Sequence, residues 1–161
     1  MAGVTAPYHL QSIERYIASV HGGARELTLS ERNVLYAYAQ AMTDQIEQIW
    51  PVDTSLSRDN WTFTISGRAD WVGFTIENLL DYAEYVHRKG QTTPLIESEV
   101  PSIIDAGLAR LLPALRSEID STEKRIADSK RRGGRGLPDV LQQKPATPLA
   151  TLIDMVLNAG F

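Results

Sequence analysis

Two carboxylates, Asp53 and Asp59, stand close together in the segment PVDTSLSRDNW (51–61), and paired carboxylates can serve as a general acid and a general base. The same residue types also have a structural use, because aspartate and threonine after a helix-ending proline bond to the nearby backbone and shape a turn. The segment supplies no nucleophile, no set of metal ligands and no phosphate-binding loop. We therefore interpret these residues as turn formers rather than catalysts.

Other patterns typical of enzymes are missing from the sequence. His9, His21 and His87 are scattered, without a partner at the helical spacing that a metal site needs. The absence of cysteine excludes disulfides, thiol catalysis and thiolate metal sites. No G-x-S-x-G elbow is present, and the GGRG stretch lacks the Lys-Ser/Thr ending of a phosphate loop. The sequence thus predicts no catalytic, cofactor-binding or metal residues, no cofactor and no enzyme activity.

Charge is distributed unevenly along the chain, although the net charge is only −4. Residues 124–135 contain six basic residues and one acid, whereas the rest of the chain has 10 basic and 19 acidic residues. Such a segment can touch a phosphate backbone or an acidic partner, and a solvated loop without a partner is the alternative. The candidate contact residues are Lys130, Arg131, Arg132 and Arg135.

The N-terminal half is predicted to contain helices followed by a hairpin. The first eight residues lack a regular pattern, residues 9–21 show helical spacing, and residues 31–49 form a stronger helix with Ser30 as its cap. Pro51 ends that helix. Strict alternation in 61–66 and the β-rich segment 71–76 predict an antiparallel hairpin, and residues 79–88 are assigned to a short helix.

The C-terminal half is dominated by one long helix, predicted from about 99 to 128 with Ser98 as a cap and Pro113 inside it. Its apolar face is wide before the proline and narrow afterwards, so we expect the first half to pack on the domain and the second half to project or meet a partner. A terminal helix capped near Thr147 then presents an apolar face. The residues of that face are Leu149, Leu152, Ile153, Val156 and Leu157. It can dock onto a neighbouring subunit or fold back onto its own domain.

These elements predict an α+β fold in which a small antiparallel sheet packs against N-terminal helices and a long C-terminal helix. We expect an α+β domain over 1–128, a flexible basic and proline-containing connector over 129–148, and a docking helix over 149–161. No apolar run reaches the roughly 20 residues that span a bilayer. The N-terminus lacks a basic region followed by an apolar one, so no secretion signal is expected.

Two motifs occur in a fixed order along the chain. The first comprises Pro51, Val52, Asp53, Thr54, Ser55, Leu56, Ser57, Arg58, Asp59, Asn60 and Trp61. The second comprises Tyr82, Ala83, Glu84, Tyr85, Val86, His87, Arg88, Lys89 and Gly90. In order and spacing they are similar to the neck, head–tail joining or tail-completion proteins of long-tailed bacteriophages, over roughly residues 30–120. That family has an N-terminal helix ending in a P-V-D-T-G turn, then a β-hairpin, a Y-A-x-Y-V segment and a C-terminal helix.

The chain departs from the family pattern at several positions. Ser55 stands at the glycine position, Ser57 separates the usual Leu-Arg pair, and His87 replaces an acid. The basic segment and the terminal 25 residues have no counterpart in the pattern.

The resemblance implies a structural virion protein made in the host bacterial cytoplasm. Such proteins form an oligomeric ring, six- or twelve-fold, between the portal adaptor or stopper and the tail terminator or tail tube, with packaged DNA in the lumen and no membrane partner. It implies turn and interface roles for Pro51, Asp53, Thr54, Arg58, Tyr82 and Tyr85. The alternatives are a tail-terminator protein of the same assembly and a small DNA-binding packaging accessory protein.

Overall fold

The computed structural model describes residues 4–9, 25–50, 59–68, 71–78 and 99–160. Their elements are β1 (Val4–His9), α1 (Leu29–Ile49), β2 (Trp61–Arg68), β3 (Trp71–Asn78), α2 (Glu99–Arg131), α3 (Leu137–Leu141) and α4 (Leu149–Ala159). Helices and an antiparallel sheet are therefore both present, as the sequence predicted. No helix in these ranges combines the length and the apolar character needed to cross a membrane.

Helix α1 begins with a reciprocal cap. The Thr28 hydroxyl accepts a hydrogen bond from the Glu31 backbone N–H at 3.3 Å, and the Thr28 N–H donates to Glu31 Oε2 at 2.8 Å. The two side chains thus accept hydrogen bonds from two backbone N–H groups that the first helical turn would otherwise leave unpaired. The prediction of Ser30 as the cap is wrong, because the helix starts at Leu29 and places Ser30 inside its first turn.

The sheet has the strand order β1-β3-β2, and both pairings are antiparallel. Strands β2 and β3 pair from Trp61↔Asn78 to Arg68↔Trp71, which confirms the predicted hairpin and extends both of its strands. The alternation also holds, since Trp61 is buried and Thr62 is exposed. A β-strand turns alternate side chains to opposite faces, so one face of β2 meets the core.

Strand β1 corrects the prediction for the N-terminus. Residues expected to be irregular form a strand that pairs with β3 from Val4↔Asn78 to His9↔Gly73. His9, placed at the start of a helix by the sequence pattern, is the last residue of this strand. Residues 10–24, which hold the rest of that predicted helix, lie outside the described ranges, as do Ser98 and the helix predicted over 79–88.

The core lies where α1, α2 and the sheet meet. Its buried members are Val34, Leu35, Met42, Ile46, Trp50, Trp61, Ile76, Val100, Ile104, Leu111, Leu115 and Ile119. Trp50 and Trp61 form an edge-to-face pair with ring centroids 4.9 Å apart, which joins the end of α1 to the start of β2. The apolar stripes predicted on both helices therefore face each other and the sheet.

Helices α1 and α2 approach closely at Gly107. A Cβ atom added there would clash with Sδ and Cγ of the fully buried Met42. Hydrogen in place of a side chain lets Met42 fill the space beside the α2 backbone. Pro113 lies inside α2 six residues later, and the helix continues past it to Arg131.

The second half of α2 does not project from the domain, contrary to the prediction. Ile119, Thr122 and Ile126 are buried. Glu123 accepts a hydrogen bond from Arg25 Nε at 3.0 Å, and Arg125 Nη2 donates to Ser30 Oγ at 3.2 Å. The apolar face of α2 is narrow here because the rest of this interface consists of polar contacts with Arg25 and with Ser30 at the start of α1.

Arg25 links the two helices through a buried ion pair. Its guanidinium donates to both carboxylate oxygens of Glu31, at 2.6 and 3.0 Å, while Nε bonds to Glu123. Glu31 is fully buried and the Arg25 side chain is only 9% exposed. Burial alone lowers the pKa of Arg25, but the hydrogen bonds and charges of Glu31 and Glu123 outweigh it and raise that pKa above its ordinary value.

Replacement of Gly107 by alanine tests the close approach. Overpacking costs about 1–3 kcal/mol, which exceeds the helix-propensity gain of about 1 kcal/mol for glycine to alanine. We expect Gly107→Ala to lower the free energy of unfolding in urea when Met42 is present. In a Met42→Ala background the same change should become neutral or stabilising. An identical effect in both backgrounds would contradict the contact.

Neutralisation of Glu31 tests the buried ion pair. Glu31→Gln removes one of the two carboxylates bonded to the Arg25 guanidinium and leaves Glu123 in place, so we expect a loss of about 1.5–3 kcal/mol in the free energy of unfolding. Glu26→Gln is the matched control, because the Glu26–Arg32 pair is exposed and 3.8 Å long. Such pairs contribute about 0–1 kcal/mol. Similar losses in both variants would show that Glu31 acts through overall charge instead.

Candidate functional site

The four candidate cations lie in a compact segment at the C-terminal end of α2, here called the basic turn (residues 129–136). Gly134 N–H donates to Ser129 O at 2.8 Å and Gly133 N–H donates to Lys130 O at 3.1 Å. Gly133 has φ +80°. These two bonds and the left-handed glycine form the usual helix-ending motif, in which the last carbonyls gain donors.

Asp139 fixes the second half of the basic turn. Its Oδ2 accepts from the Arg135 backbone N–H at 2.7 Å and from Ser129 Oγ at 3.0 Å. Ser129 Oγ in turn accepts from Gly136 N–H at 3.1 Å. The Arg135 backbone N–H, then the Ser129 hydroxyl and the Arg135 side chain, hold the pKa of Asp139 below its ordinary value of 3.8.

Part of the segment predicted as a connector, 129–148, has regular secondary structure. Residues 129–131 belong to α2, and residues 137–141 form α3, whose Val140 is buried. The sequence did contain a signal, because Asp139 follows Pro138 just after a glycine, as in the first turn of a helix. The cations are thus presented by an ordered scaffold.

All four candidate cations are exposed to solvent. Arg131 pairs with Asp128 at 2.9 Å and Arg135 pairs with Asp139 at 3.1 Å. Exposed pairs of this kind contribute little, so these guanidinium groups can exchange partners at small cost. The four predicted contact residues are therefore all exposed within one short turn.

The predicted docking helix packs onto its own chain. Val156 is buried in a cluster with Ala37 and Ala41 of α1, and Leu152 and Ile153 are half-buried against it. The sequence allowed α4 to dock on a neighbouring subunit or to fold back on its own domain. Within the single chain, α4 folds back onto α1. The small side chains of Ala37 and Ala41 leave room on α1 for the apolar face of α4.

Both ends of α4 show how it is held. Arg110 of α2 donates to the carbonyl oxygens of Ala159 and Gly160, which the helix leaves without internal donors. The helix begins after Pro148 without a side-chain cap, so the prediction of a cap near Thr147 is wrong.

Not every apolar residue of α4 is used in this contact. Leu149 is half-buried, Leu157 is 38% exposed and Met155 is 59% exposed. Met155 was not among the predicted docking residues, because it lies off the stripe that the helical spacing defines.

A cleft of about 220 Å³ lies between the start of α1, the second half of α2 and residues 145–147. At its floor Arg125 Nη2 bonds to Ser30 Oγ, Thr122 Oγ1 and Glu118 Oε1, at 3.2, 3.1 and 3.3 Å. Its Nε is buried and has no hydrogen-bond partner among the residues that the structure describes. Glu118 pairs with the Arg125 guanidinium, so the two charged side chains that line the cleft offset each other.

Several sequence-predicted site residues cannot be placed. Pro51, Asp53, Thr54, Arg58, Tyr82 and Tyr85 all lie outside the described residues. Asp59 is exposed two residues before β2, while Trp61 belongs to the core. Within the ranges that the structure describes, no group of three or more histidine and acidic side chains is placed to hold a metal ion.

Comparison with known proteins adds no relative to this description. No family model, no curated protein and no solved structure matches the chain.

Removal of the Asp139 charge tests the scaffold of the basic turn. The folded pKa of Asp139 is lowered, so its carboxylate stabilises the turn above the unfolded value of 3.8, and that contribution is lost as pH falls through the folded value. At neutral pH we expect Asp139→Asn to accelerate amide hydrogen exchange at Arg135 and Gly136, measured by NMR.

Asp105→Asn is the control for that experiment, because Asp105 is exposed on α2 and far along the helix from the turn. Its exchange rates at Arg135 and Gly136 should equal those of the wild type. If Asp139→Asn also left both rates unchanged, the carboxylate would not be what holds the turn.

Proposed function

We propose that this protein is a structural virion component of the phage head–tail junction, a neck or tail-completion subunit that acts as part of an oligomeric ring. The observation that carries the proposal is the hairpin β2–β3, which lies between the two sequence motifs at 51–61 and 82–90. The order of helix, turn motif, hairpin, aromatic motif and long helix is the order that the resemblance implies. The ring joins the portal-adaptor complex to the tail tube.

In this role the protein works through its surfaces and makes or breaks no covalent bond. A rigid body suits the task, since α1 is packed on the sheet, on α2 and on α4. Packaged DNA passes through the lumen of such a ring. The excess of acids outside residues 124–135 supports this arrangement, because like charge keeps a passing polyanion from adhering.

Electron microscopy of particles tests the proposal. In a phage that encodes this chain, deletion of its gene should yield filled heads and separate tails that do not join. An antibody against the protein should label the junction of intact particles. Normal particles after deletion, or the absence of the protein from purified particles by mass spectrometry, would contradict the assignment.

Complementation with variants tests the motif residues. We expect Asp53→Ala and Tyr85→Ala to restore far fewer joined particles than the wild-type gene, because the resemblance places both residues at turns or interfaces. Asp105→Ala, an exposed change outside both motifs, should complement fully. Infectious titre measures the outcome, and circular dichroism of each purified variant shows whether it folds.

A DNA-binding packaging accessory protein is the second candidate, and the ordered basic turn favours it. Phosphate binding by a few cations is salt-dependent, with log K falling by about 0.9 per log unit of salt for each phosphate neutralised. This candidate requires duplex binding that weakens steeply with salt and disappears in Arg131→Glu/Arg132→Glu. A tail-terminator role in the same assembly would instead place the antibody label on isolated tails.

A further inference from the structure

Helix α4 is held to the domain by fewer buried side chains than the two long helices. Of its 11 residues only Val156 is buried, whereas nine residues of α1 and eight of α2 are buried. Its first turn has no side-chain cap, and its last carbonyls accept hydrogen bonds from Arg110 in an exposed contact. Segments with few buried contacts open at a lower free energy than the rest of a fold. We therefore expect α4 to detach while α1, α2 and the sheet stay folded.

Such an opening begins in the segment before α4, here called the hinge (residues 142–148). Helix α3 packs on α2 and buries Val140, so it stays in place when α4 leaves. A cleft of about 220 Å³ lies between residues 145–147 and the two long helices. Among the described residues, the hinge has one polar contact with those helices, from Arg125 Nη1 to Gln143 Oε1 at 3.5 Å. Movement of the hinge therefore breaks few contacts.

The hinge is long enough to carry α4 to another molecule. It comprises the seven residues between Leu141 and Leu149. Seven extended residues span roughly 23–25 Å, whereas packed helices lie only about 8–10 Å apart. The α4 of one copy therefore reaches the α1 of a copy that lies beside it.

Folding back onto its own chain leaves apolar surface of α4 uncovered. Met155 is 59% exposed and Leu157 is 38% exposed. These two residues flank Val156, and successive residues of a helix point about 100° apart, so the two side chains stand on opposite flanks of the buried face. A helix packed on one body cannot bury both flanks, whereas a helix placed between two bodies can. The uncovered flanks favour docking between two copies.

We infer that α4 exchanges between copies of this chain, so that Val156 of one copy packs against Ala37 and Ala41 of a second copy. Arg110 of that second copy then donates to the C-terminal carbonyls of the incoming helix. The contacts made within one chain are made again between two, which is why the exchange of an identical element costs little. The exchange needs no vacant surface, since each copy receives a helix on the face that its own helix has left.

The exchange depends on protein concentration. A short flexible linker keeps the segments that it joins at an effective concentration in the millimolar range, so α4 stays on its own chain in dilute solution. Docking on a second copy becomes populated as the protein concentration approaches about 1 mM. The inference goes beyond the proposed ring function, because it concerns the purified chain in the absence of any phage component.

Sedimentation velocity of the purified protein tests whether copies associate through α4. We expect the associated fraction to rise at least tenfold between about 0.01 mM and about 1 mM protein. Ile153→Asp/Val156→Asp, which places charge on the packed face of α4, should abolish the association. Thr151→Asp/Asn158→Asp is the matched control, because it adds the same charge to exposed positions of the same helix. It should associate as the wild type does.

Disulfide trapping then shows which surfaces meet, and the chain suits it because it contains no cysteine. In a mixture of Ala41→Cys and Val156→Cys, the two thiols meet only when α4 of one copy docks on α1 of another. We expect a linked dimer on non-reducing gels at about 1 mM protein. Ala127→Cys, an exposed position near the C-terminal end of α2, replaces Ala41→Cys in the control for random collision.

The double variant Ala41→Cys/Val156→Cys compares the two docking modes in one molecule. In dilute solution its disulfide should close within the chain and leave a monomer on the gel. At about 1 mM protein linked dimers should appear as well. Urea unfolding of each variant shows that the rest of the fold is retained.

Three outcomes would overturn the inference. One is a wild-type monomer at every concentration. Another is association that Ile153→Asp/Val156→Asp leaves intact, since other surfaces would then be in contact. The third is a double variant whose disulfide stays within the chain at concentrations where the wild type associates. A ring found at the head–tail junction in which each α4 lies on its own chain would leave the proposed function standing and the exchange refuted.

Discussion

The antiparallel contact between α1 and α2 is the constraint on which the rest of this structure depends. Two different interactions hold the helices together. One is the close approach of Met42 to Gly107, and the other, further along the pair, is the buried Arg25–Glu31–Glu123 cluster. The first requires a residue without a side chain, and the second requires a full set of charge partners. Together they set the register of the two helices along their length.

The central position of α1 follows from its composition. Small side chains at Ala37 and Ala41 accept α4, larger ones on other faces meet α2, and Trp50 joins the helix to the sheet through Trp61. A helix packed on three sides cannot be tilted without opening several interfaces. This rigidity suits a protein whose proposed work is to hold neighbours in position.

Electrostatics divides the same helix pair into unlike ends. At one end Glu99 and Asp105 stand exposed, and at the other a glycine-containing turn gathers cations around the Asp139 carboxylate. The Asp139 carboxylate bonds to Ser129 and to the Arg135 backbone, and these bonds shape the turn that carries the guanidinium groups.

Local patterns in the sequence determined the element types and most of their lengths. Alternation over 61–66 and helical spacing over 31–49 and from about 99 are features of short-range geometry, with periods of 2 and 3.6 residues, so they can be read without knowledge of the fold. They also identified nearly all of the core positions. These patterns did not predict the strand at Val4–His9, because its existence depends on pairing with β3, about seventy residues away.

Tertiary structure alone decided which surfaces meet. The apolar stripe of α4 is the same whether it packs on its own chain or on another, and in this chain it lies against the small-residue face of α1. The second half of α2 appeared unpartnered because Arg25 and Ser30, which complete its interface, stand about a hundred residues earlier. Likewise, the hydrogen bonds that shape the second half of the basic turn come from Asp139, a residue beyond the glycines. Such choices depend on free-energy differences between distant surfaces, which no local period encodes.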